Sequence, residues 1–285
     1  MHQEAIEREI REFKEYLLKN TLLNFTTIKL YCSVLRDFLS KYNEVSLNNI
    51  NNYIAERLRK SNVNYIRASL INYIKAKDLD IKIEHIIKPK WRERKRHGNY
   101  MSHERVMKLI NAIEDKKFRL VALLQYLTGA RAREILTIKI ENIKIEDDFI
   151  RIALKGKGNR TRYVFVDLSL KEALEELYNG RDNGYLFFED AVIYEKNQEE
   201  FAKYVWKKYI AYMRALKKAC EKLNINFSTH DFRRNFADRL YKNHKDLLVV
   251  KEALGHADVK TTMRYFASRK KEVINAMLEH QKNVI

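Results

Sequence analysis

Cysteine, glycine and proline are all scarce in this sequence of 285 residues, and each scarcity excludes a class of protein. The two cysteines, Cys32 and Cys220, lie far apart, which excludes a disulfide framework and the paired spacing of a zinc site. We therefore expect two ordinary buried thiols. Seven glycines and one proline disfavour a turn-rich β-protein and favour long helices joined by short loops. The expected fold class is mainly α.

Long uncharged runs are also missing. Leu120 to Ala130, one of the longest, has about half of the roughly 20 apolar residues that a membrane-spanning helix requires. The amino-terminal sequence MHQEAIEREIREF carries acidic residues where a signal peptide needs a basic start and an apolar block. We expect no membrane segment and a cytoplasmic protein.

Positive charge is abundant. The chain has 56 Lys and Arg residues against 38 Asp and Glu residues, a formal net charge of +18. A stable fold with this charge needs a polyanion to relieve its self-repulsion, and nucleic acid is the leading choice once a membrane is disfavoured. The hydrophobic fraction of 46% is normal for one large or two ordinary globular domains.

Helical spacing of apolar residues predicts four helices between residue 3 and about residue 77, with Ser46 and Ser61 as N-caps. The following segment, Lys88 to Arg96, contains the only proline and six basic residues among nine. A proline beside a charge cluster without apolar periodicity predicts a domain boundary. We therefore predict a domain over residues 1–85, a basic linker over 86–100 and a second domain over 101–285.

The second domain combines helices with a small sheet. Helical spacing resumes at Val106, and between about 138 and 166 the period changes to two, with a turn at 156–160. This predicts a small antiparallel sheet. From about residue 198 the chain is again helical, with predicted interruptions near 224–229 and at Gly255.

Four short polar segments stand out in this domain: Thr128-Gly-Ala-Arg131, Gly156-Lys157-Gly158, His230-Asp-Phe-Arg233 and Leu254-Gly-His256. Tyr265 follows nine residues after the last histidine. Each segment alone has an ordinary explanation, such as an i to i+3 pair of Arg131 with Glu134, or His230 and Arg233 as surface neighbours on a helix. Their order and spacing together are far more specific.

These segments resemble the tyrosine recombinase (phage integrase) family over nearly the whole chain. The resemblance implies a four-helix amino-terminal core-binding domain of the SAM-like type, which clamps DNA, and an α-helical catalytic domain with a small antiparallel sheet. It also implies a catalytic set, which is Arg131, Lys157, His230, Arg233, His256 and the nucleophile Tyr265. Arg133 and Arg234 depart from the residues common in the family, at positions that are not catalytic in it.

The implied chemistry suits these residue types. Arg131 and Arg233 each present a planar fork of hydrogen-bond donors to phosphate oxygens. An enzyme without a metal needs positive charge of this kind at the place where negative charge accumulates in the transition state. The resemblance assigns Lys157 to protonate the departing 5′ oxygen, and His230 is the preferred general base, with His256 orienting. No Walker segment, zinc spacing or paired-carboxylate motif is present, so we expect turnover without metal, ATP or any cofactor.

The resemblance also implies partners. Double-stranded DNA is the expected substrate, and the basic linker is expected to cross its phosphates. Its predicted DNA-binding residues are Lys88, Lys90, Arg92, Arg94, Lys95 and Arg96. The stretch Arg269 to His280 is expected to dock onto the neighbouring subunit of a tetrameric synapse on DNA, with packing on its own domain as the alternative.

The expected function is site-specific recombination through a covalent 3′-phosphotyrosine, with an Xer-like role in resolving chromosome or plasmid dimers. Three alternatives stay open. They are integration or excision of a mobile element, relaxation of supercoils by a type IB topoisomerase, and DNA binding without cleavage by a regulator derived from a recombinase.

Overall fold

The computed structural model describes residues 3–23, 25–58, 63–88, 99–156, 161–256 and Thr262. The chain forms two compact units, Met1–Arg94 and Lys95–Ile285. Most of the predicted linker, including Lys90, Arg92, Arg94, Lys95 and Arg96, lies outside the described residues. The predicted domain bounds therefore stay predictions.

The amino-terminal unit is built from four helices in its described part. They are α1 (Gln3–Asn20), α2 (Phe25–Lys41), α3 (Leu47–Ala55) and α4 (Val63–Ala76), and a 3-10 turn (Ile83–His85) follows. Apolar residues three or four apart give each helix one buried stripe, so that Phe13, Leu17, Leu35 and Phe38 are all fully buried. The predicted four-helix domain is confirmed as a fold.

Helix α3 begins where the sequence predicts. Ser46 has an extended backbone, and its Oγ accepts a hydrogen bond of 3.3 Å from the Asn49 backbone N–H. Such a bond satisfies one of the donors that every helix start leaves without an internal partner. The second predicted cap, Ser61, lies outside the described residues.

The carboxy-terminal unit contains eight further helices among the described residues. They are α5 (His103–Asn111), α6 (Lys116–Thr128), α7 (Ala132–Leu136), α8 (Lys171–Tyr178), α9 (Ala191–Tyr194), α10 (Gln198–Lys222), α11 (Thr229–His244) and α12 (Leu247–Leu254). Helices α6 and α11 pack against each other and bring two of the polar segments of the sequence to one place. Both cysteines are buried, as predicted.

The predicted antiparallel sheet is confirmed. Its strands are β1 (Ile143–Ile145), β2 (Ile150–Lys155) and β3 (Thr161–Val166), in the order β1-β2-β3 with Ile152 opposite Val164. Alternate side chains of β2 and β3 are buried, and Tyr163 and Phe165 on the other face of β3 are exposed. This alternation is what the period of two predicts.

Two parts of this unit differ from the prediction. Helices α8 and α9 were not predicted, because they are short and each buries a single residue, Leu174 and Ala191 respectively. The second difference is a break at Lys245, whose φ of 56° ends α11 before Asp246 caps α12. Lysine carries no turn signal, so the sequence pattern runs through this break.

No helix in the described part of the chain has both the length and the apolarity to cross a bilayer.

Replacement of Ser46 tests its assignment as the N-cap of α3. Ser46→Ala removes the side-chain acceptor and is expected to lower the free energy of unfolding by about 1 kcal/mol, while Ser46→Asp restores the acceptor and most of the stability. Urea unfolding followed by circular dichroism measures both. Ser40→Ala is the matched control, since the exposed Ser40 hydroxyl only donates to the Arg36 carbonyl within α2. An equal loss in Ser46→Ala and Ser40→Ala would contradict the assignment.

Candidate active site

A tight turn at Gly129 places Arg131. Gly129 ends α6 in the left-handed conformation, with φ of 65°, and a Cβ at this position would lie 2.4 Å from Cδ1 of Phe236. Only glycine combines this backbone with this contact. The chain therefore reverses within two residues, and Arg131 becomes the residue that precedes α7.

Arg131 is held by Glu134. The Glu134 carboxylate accepts the Arg131 backbone N–H at 2.7 Å and the Arg131 Nη1 at 2.8 Å. Arg162 on β3 donates from Nη2 to the same carboxylate at 2.8 Å. The predicted i to i+3 pair is thus present, but Arg131 lies before the helix, and its side chain stays 43% exposed. The guanidinium is fixed on one side and open to solvent on the other.

Glu134 is nearly buried, with 6% of its surface exposed, yet it stays ionised. Burial raises the pKa of Glu134, but the hydrogen bonds and charges of Arg162 and Arg131 outweigh burial and lower the pKa to about 2. The carboxylate therefore balances two arginines at any physiological pH.

Arg233 on α11 is buried, with only 1% exposure. Its Nη1 donates to the Gly129 carbonyl at 2.6 Å, and its Nη2 donates to the Leu254 carbonyl at 2.6 Å. The alternative that Arg233 is a surface neighbour of His230 is therefore wrong. Arg233 ties the turn before α7 to the end of α12.

His256 is held in one tautomer. Its Nε2 lies 2.9 Å from Nη2 of Arg233, and its Nδ1 lies 2.8 Å from Oγ1 of Thr262. An arginine only donates, so Nε2 must be the acceptor, and the single proton of the neutral ring is on Nδ1 and points to Thr262. Burial and the nearby charges of Arg233, Arg131 and Arg162 lower the pKa of His256 to about 4.

His230 occupies the second position of α11 and is exposed. Desolvation of the ring, together with the charges of Arg234, Arg233 and Arg131, lowers its pKa below the usual value of 6.5. The helix start is fixed by Asp231, whose Oδ2 accepts the Ser228 backbone N–H at 2.9 Å. His230 is therefore an exposed residue whose lowered pKa favours the neutral imidazole.

The structure brings together four of the six predicted catalytic residues. Arg131, His230, Arg233 and His256 come from three segments spread over more than a hundred positions, and Arg131 and Arg233 act on the pKa of both histidines. The two others, Lys157 and Tyr265, lie outside the described residues. Of the predicted linker residues only Lys88 is described, and it is exposed in the amino-terminal unit.

Sequence reasoning missed Arg162 and Thr262. Arg162 lies on the same side of β3 as Val164 and Val166, which are buried, and a charged residue in the apolar register of a strand is the signal that marks it. Thr262 carries no such signal. Its Oγ1 contacts His256, and Thr262 stands three residues before Tyr265 in the sequence. In the part of the chain that the structure describes, no group of three His, Cys, Asp or Glu residues is placed to bind a metal.

Comparison with known proteins decides the family. Residues 99–272, more than half of the chain, match the model of the phage integrase family. The chain belongs to this family. Its members are tyrosine recombinases, which cleave and rejoin DNA, and the predicted fold class and enzyme class are confirmed.

Individual relatives agree with this assignment. Tyrosine recombinase XerA of Pyrococcus furiosus is 30% identical over 93% of this chain and 91% of its own length. A crystal structure of XerH recombinase bound to palindromic difH substrate shares 20% identity and a TM-score of 0.65 over 89% of this chain and 80% of its own. A lambda integrase tetramer bound to a Holliday junction shares 14% identity and a TM-score of 0.61, over 91% of this chain and 76% of its own. The two structures show that the fold is shared.

The low pKa of Glu134 predicts a pH-dependent stability. Because the folded-state pKa of about 2 lies below the ordinary value of 4.5, the carboxylate stabilises the fold above pH 4.5. This contribution, about 3 kcal/mol at neutral pH, is lost as the pH falls toward 2. Glu134→Gln is therefore expected to be less stable at pH 7, by a difference that shrinks below pH 4.5. Urea unfolding at a series of pH values measures this, with exposed Glu172→Gln as the control. A difference independent of pH would contradict the assignment.

The tautomer of His256 is open to direct measurement. We expect the side-chain ¹⁵N signals of His256 at pH 7 to show a neutral ring with its proton on Nδ1, because Arg233 occupies Nε2. The ring should titrate near pH 4. Loss of the signals in His256→Gln assigns them. A proton on Nε2, or a titration near 6.5, would show that the contact with Arg233 is not made in solution.

Proposed function

We propose that this protein is an Xer-like site-specific recombinase that resolves chromosome or plasmid dimers through a 3′-phosphotyrosine intermediate. The observation that carries the proposal is that Arg131, His230, Arg233 and His256 lie in one place in the fold. Arg233 contacts His256 and the turn before Arg131, and it shares α11 with His230. The similarity to XerA over more than nine-tenths of both chains supports the Xer-like role.

Arg131 is the proposed contact to the scissile phosphate. Glu134 accepts a hydrogen bond from Nη1 of its guanidinium. The side chain is otherwise exposed and can bind a phosphate from the solvent side. Arg233 contributes its positive charge from beneath, where its hydrogen bonds fix the turn before Arg131. Charge arranged in advance around a phosphate stabilises the transition state without the cost of reorganisation.

The two histidines have different proposed roles. Both ring nitrogens of His256 face hydrogen-bond partners, so this ring is suited to orienting groups and not to taking up a proton. His230 is exposed and has a lowered pKa, so it is neutral and able to accept the proton of the nucleophile. This division supports His230 as the general base.

In the proposed reaction the Tyr265 oxygen attacks phosphorus, its proton passes to His230, and the bond from phosphorus to the 5′ oxygen breaks. Lys157 delivers a proton to the departing 5′ oxygen. The phosphotyrosine bond keeps the energy of the broken ester, so that a 5′ hydroxyl can reverse the step without ATP.

The proposed partners are double-stranded DNA and three further copies of the chain in a synaptic tetramer, as in the lambda integrase complex. The net charge of +18 supports DNA binding. The linker cations, from Lys88 to Arg96, and a carboxy-terminal helix exchanged between subunits belong to this proposal. Because chromosomal or plasmid DNA is the proposed substrate, we place the protein in the cytoplasm.

Replacement of the nucleophile tests the chemistry. Tyr265→Phe is expected to abolish covalent protein–DNA adducts on a nicked suicide substrate, because the hydroxyl that attacks phosphorus is gone. The dissociation constant for DNA should change by less than about threefold, since the phosphate contacts remain. Tyr163→Phe, which changes an exposed tyrosine on β3, is the control and should form adducts at the wild-type rate. Adducts in Tyr265→Phe would end the assignment.

The products then distinguish the alternatives. Incubation of the wild-type protein with circular DNA that carries two directly repeated copies of its own site should yield two smaller circles with rejoined sequences. Relaxed circles alone would indicate a topoisomerase, and DNA binding without adducts on the suicide substrate would indicate a regulator. Mapping of the covalent position on host DNA then identifies a dimer-resolution site or the end of a mobile element.

A further inference from the structure

Gln125 is a polar side chain buried inside the catalytic unit. It lies on α6 within the uncharged run from Leu120 to Ala130, and 1% of its surface is exposed. Its Nε2 lies 3.2 Å from the carbonyl oxygen of Ala130 and 3.4 Å from that of Thr229. The hydroxyl of Tyr212 donates to Oε1 at 2.7 Å.

The contacts fix the orientation of the amide. Carbonyl oxygens only accept, so the group that faces Ala130 and Thr229 must be the NH₂. The Tyr212 hydroxyl then has the Oε1 oxygen as its acceptor, and burial raises the pKa of Tyr212 well above 10, so that the hydroxyl keeps its proton. Each polar atom of the Gln125 amide thus has a partner in the interior.

The two carbonyls that share this amide stand directly before two site residues. Ala130 precedes Arg131, the proposed phosphate contact, and Thr229 precedes His230, the proposed base. These peptides belong to the turn after α6 and to the start of α11, about one hundred residues apart in sequence. A single NH₂ group therefore bridges the two backbone segments that carry the cation and the base, in addition to the bond of Arg233 to the Gly129 carbonyl.

We propose that Gln125 is a positioning residue for strand cleavage, which holds the Arg131 turn and the start of α11 at the separation that the reaction needs. The inference rests on the proposed function, because it assumes that Arg131 and His230 act on the same phosphate. Neither partner of Gln125 in this bridge is a side chain of the site, so the effect passes through the backbone. Displacement of about 1 Å in such a site costs about 100-fold in rate.

Gln125→Met tests the proposal, because methionine fills a similar volume and has neither NH₂ nor carbonyl oxygen. In single-turnover assays of the full chain on the nicked suicide substrate, we expect the cleavage rate to fall about 100-fold. The dissociation constant for the same DNA should stay within about threefold of wild type, since the phosphate-binding side chains are unchanged. A loss in rate without a loss in affinity is what positioning predicts.

Tyr126→Phe is the matched control. Tyr126 is the next residue on α6 and is also buried, and its hydroxyl lies 3.0 Å from Nδ1 of His103, which is not one of the site residues. We expect this variant to lose thermal stability comparable to that of Gln125→Met and to cleave within about threefold of wild type. A cleavage loss in Tyr126→Phe as large as in Gln125→Met would reduce Gln125 to a stability residue and overturn the proposal.

Gln125→Asn covers the case in which the methionine variant does not fold. Its amide is one methylene shorter and cannot span both carbonyls while bonded to Tyr212, so we expect about a tenfold loss of cleavage rate at unchanged DNA affinity. Wild-type cleavage by a folded Gln125→Met, or by Gln125→Asn in its place, overturns the inference and leaves the proposed function intact. Absence of adducts with the wild-type protein would overturn the proposed function itself.

Discussion

The carboxy-terminal unit depends on how it accommodates the buried guanidinium of Arg233. A charged group with 1% exposure is costly unless hydrogen bonds replace the water that it has lost. The carbonyls of Gly129, the residue that caps α6, and Leu254, the last residue of α12, supply those bonds. Glycines in the left-handed conformation end α6 and α12, and the hydrogen bonds of this one buried charge hold the two helix ends, and with them the turns toward Arg131 and His256, together.

Two carboxylates repeat the same arrangement at neighbouring helix starts. Glu134 accepts a backbone N–H before α7 and pairs with Arg131, and Asp231 accepts the Ser228 backbone N–H before α11 and pairs with Arg234 at 2.8 Å. Each lies in the first turn, where the helix dipole favours negative charge. The two carboxylates thus lie on the protein side of the arginines with which they pair, and they hold these positive charges close together. The solvent side of the arginines stays positive.

The fold was largely predictable because its signals are local. The stripe of Phe13 and Leu17 on α1 and the alternation in β2 report directly on which faces are buried. The site was predicted only through a family resemblance carried by the joint order and spacing of Arg131, Lys157, His230, Arg233, His256 and Tyr265. Burial of Arg233, the tautomer of His256 and the bridge of Gln125 depend on contacts between residues that are distant in sequence, and no periodicity carries that information.

The arrangement also explains how the site can be organised before its substrate arrives. Desolvation lowers the pKa of both histidines, and the positive charges of nearby arginines lower it further. These arginines are Arg131, Arg233 and Arg234 for His230, and Arg131, Arg162 and Arg233 for His256. The repulsion between these positive charges lowers the stability of the free protein, and a bound phosphate diester would relieve it by neutralising the open face. Glu134, Asp231 and the carbonyls of the turns hold the cations in place, so the cations cannot move apart in the free protein. The repulsion that destabilises the free protein is therefore relieved when DNA binds, and its relief contributes to binding and to stabilisation of the transition state.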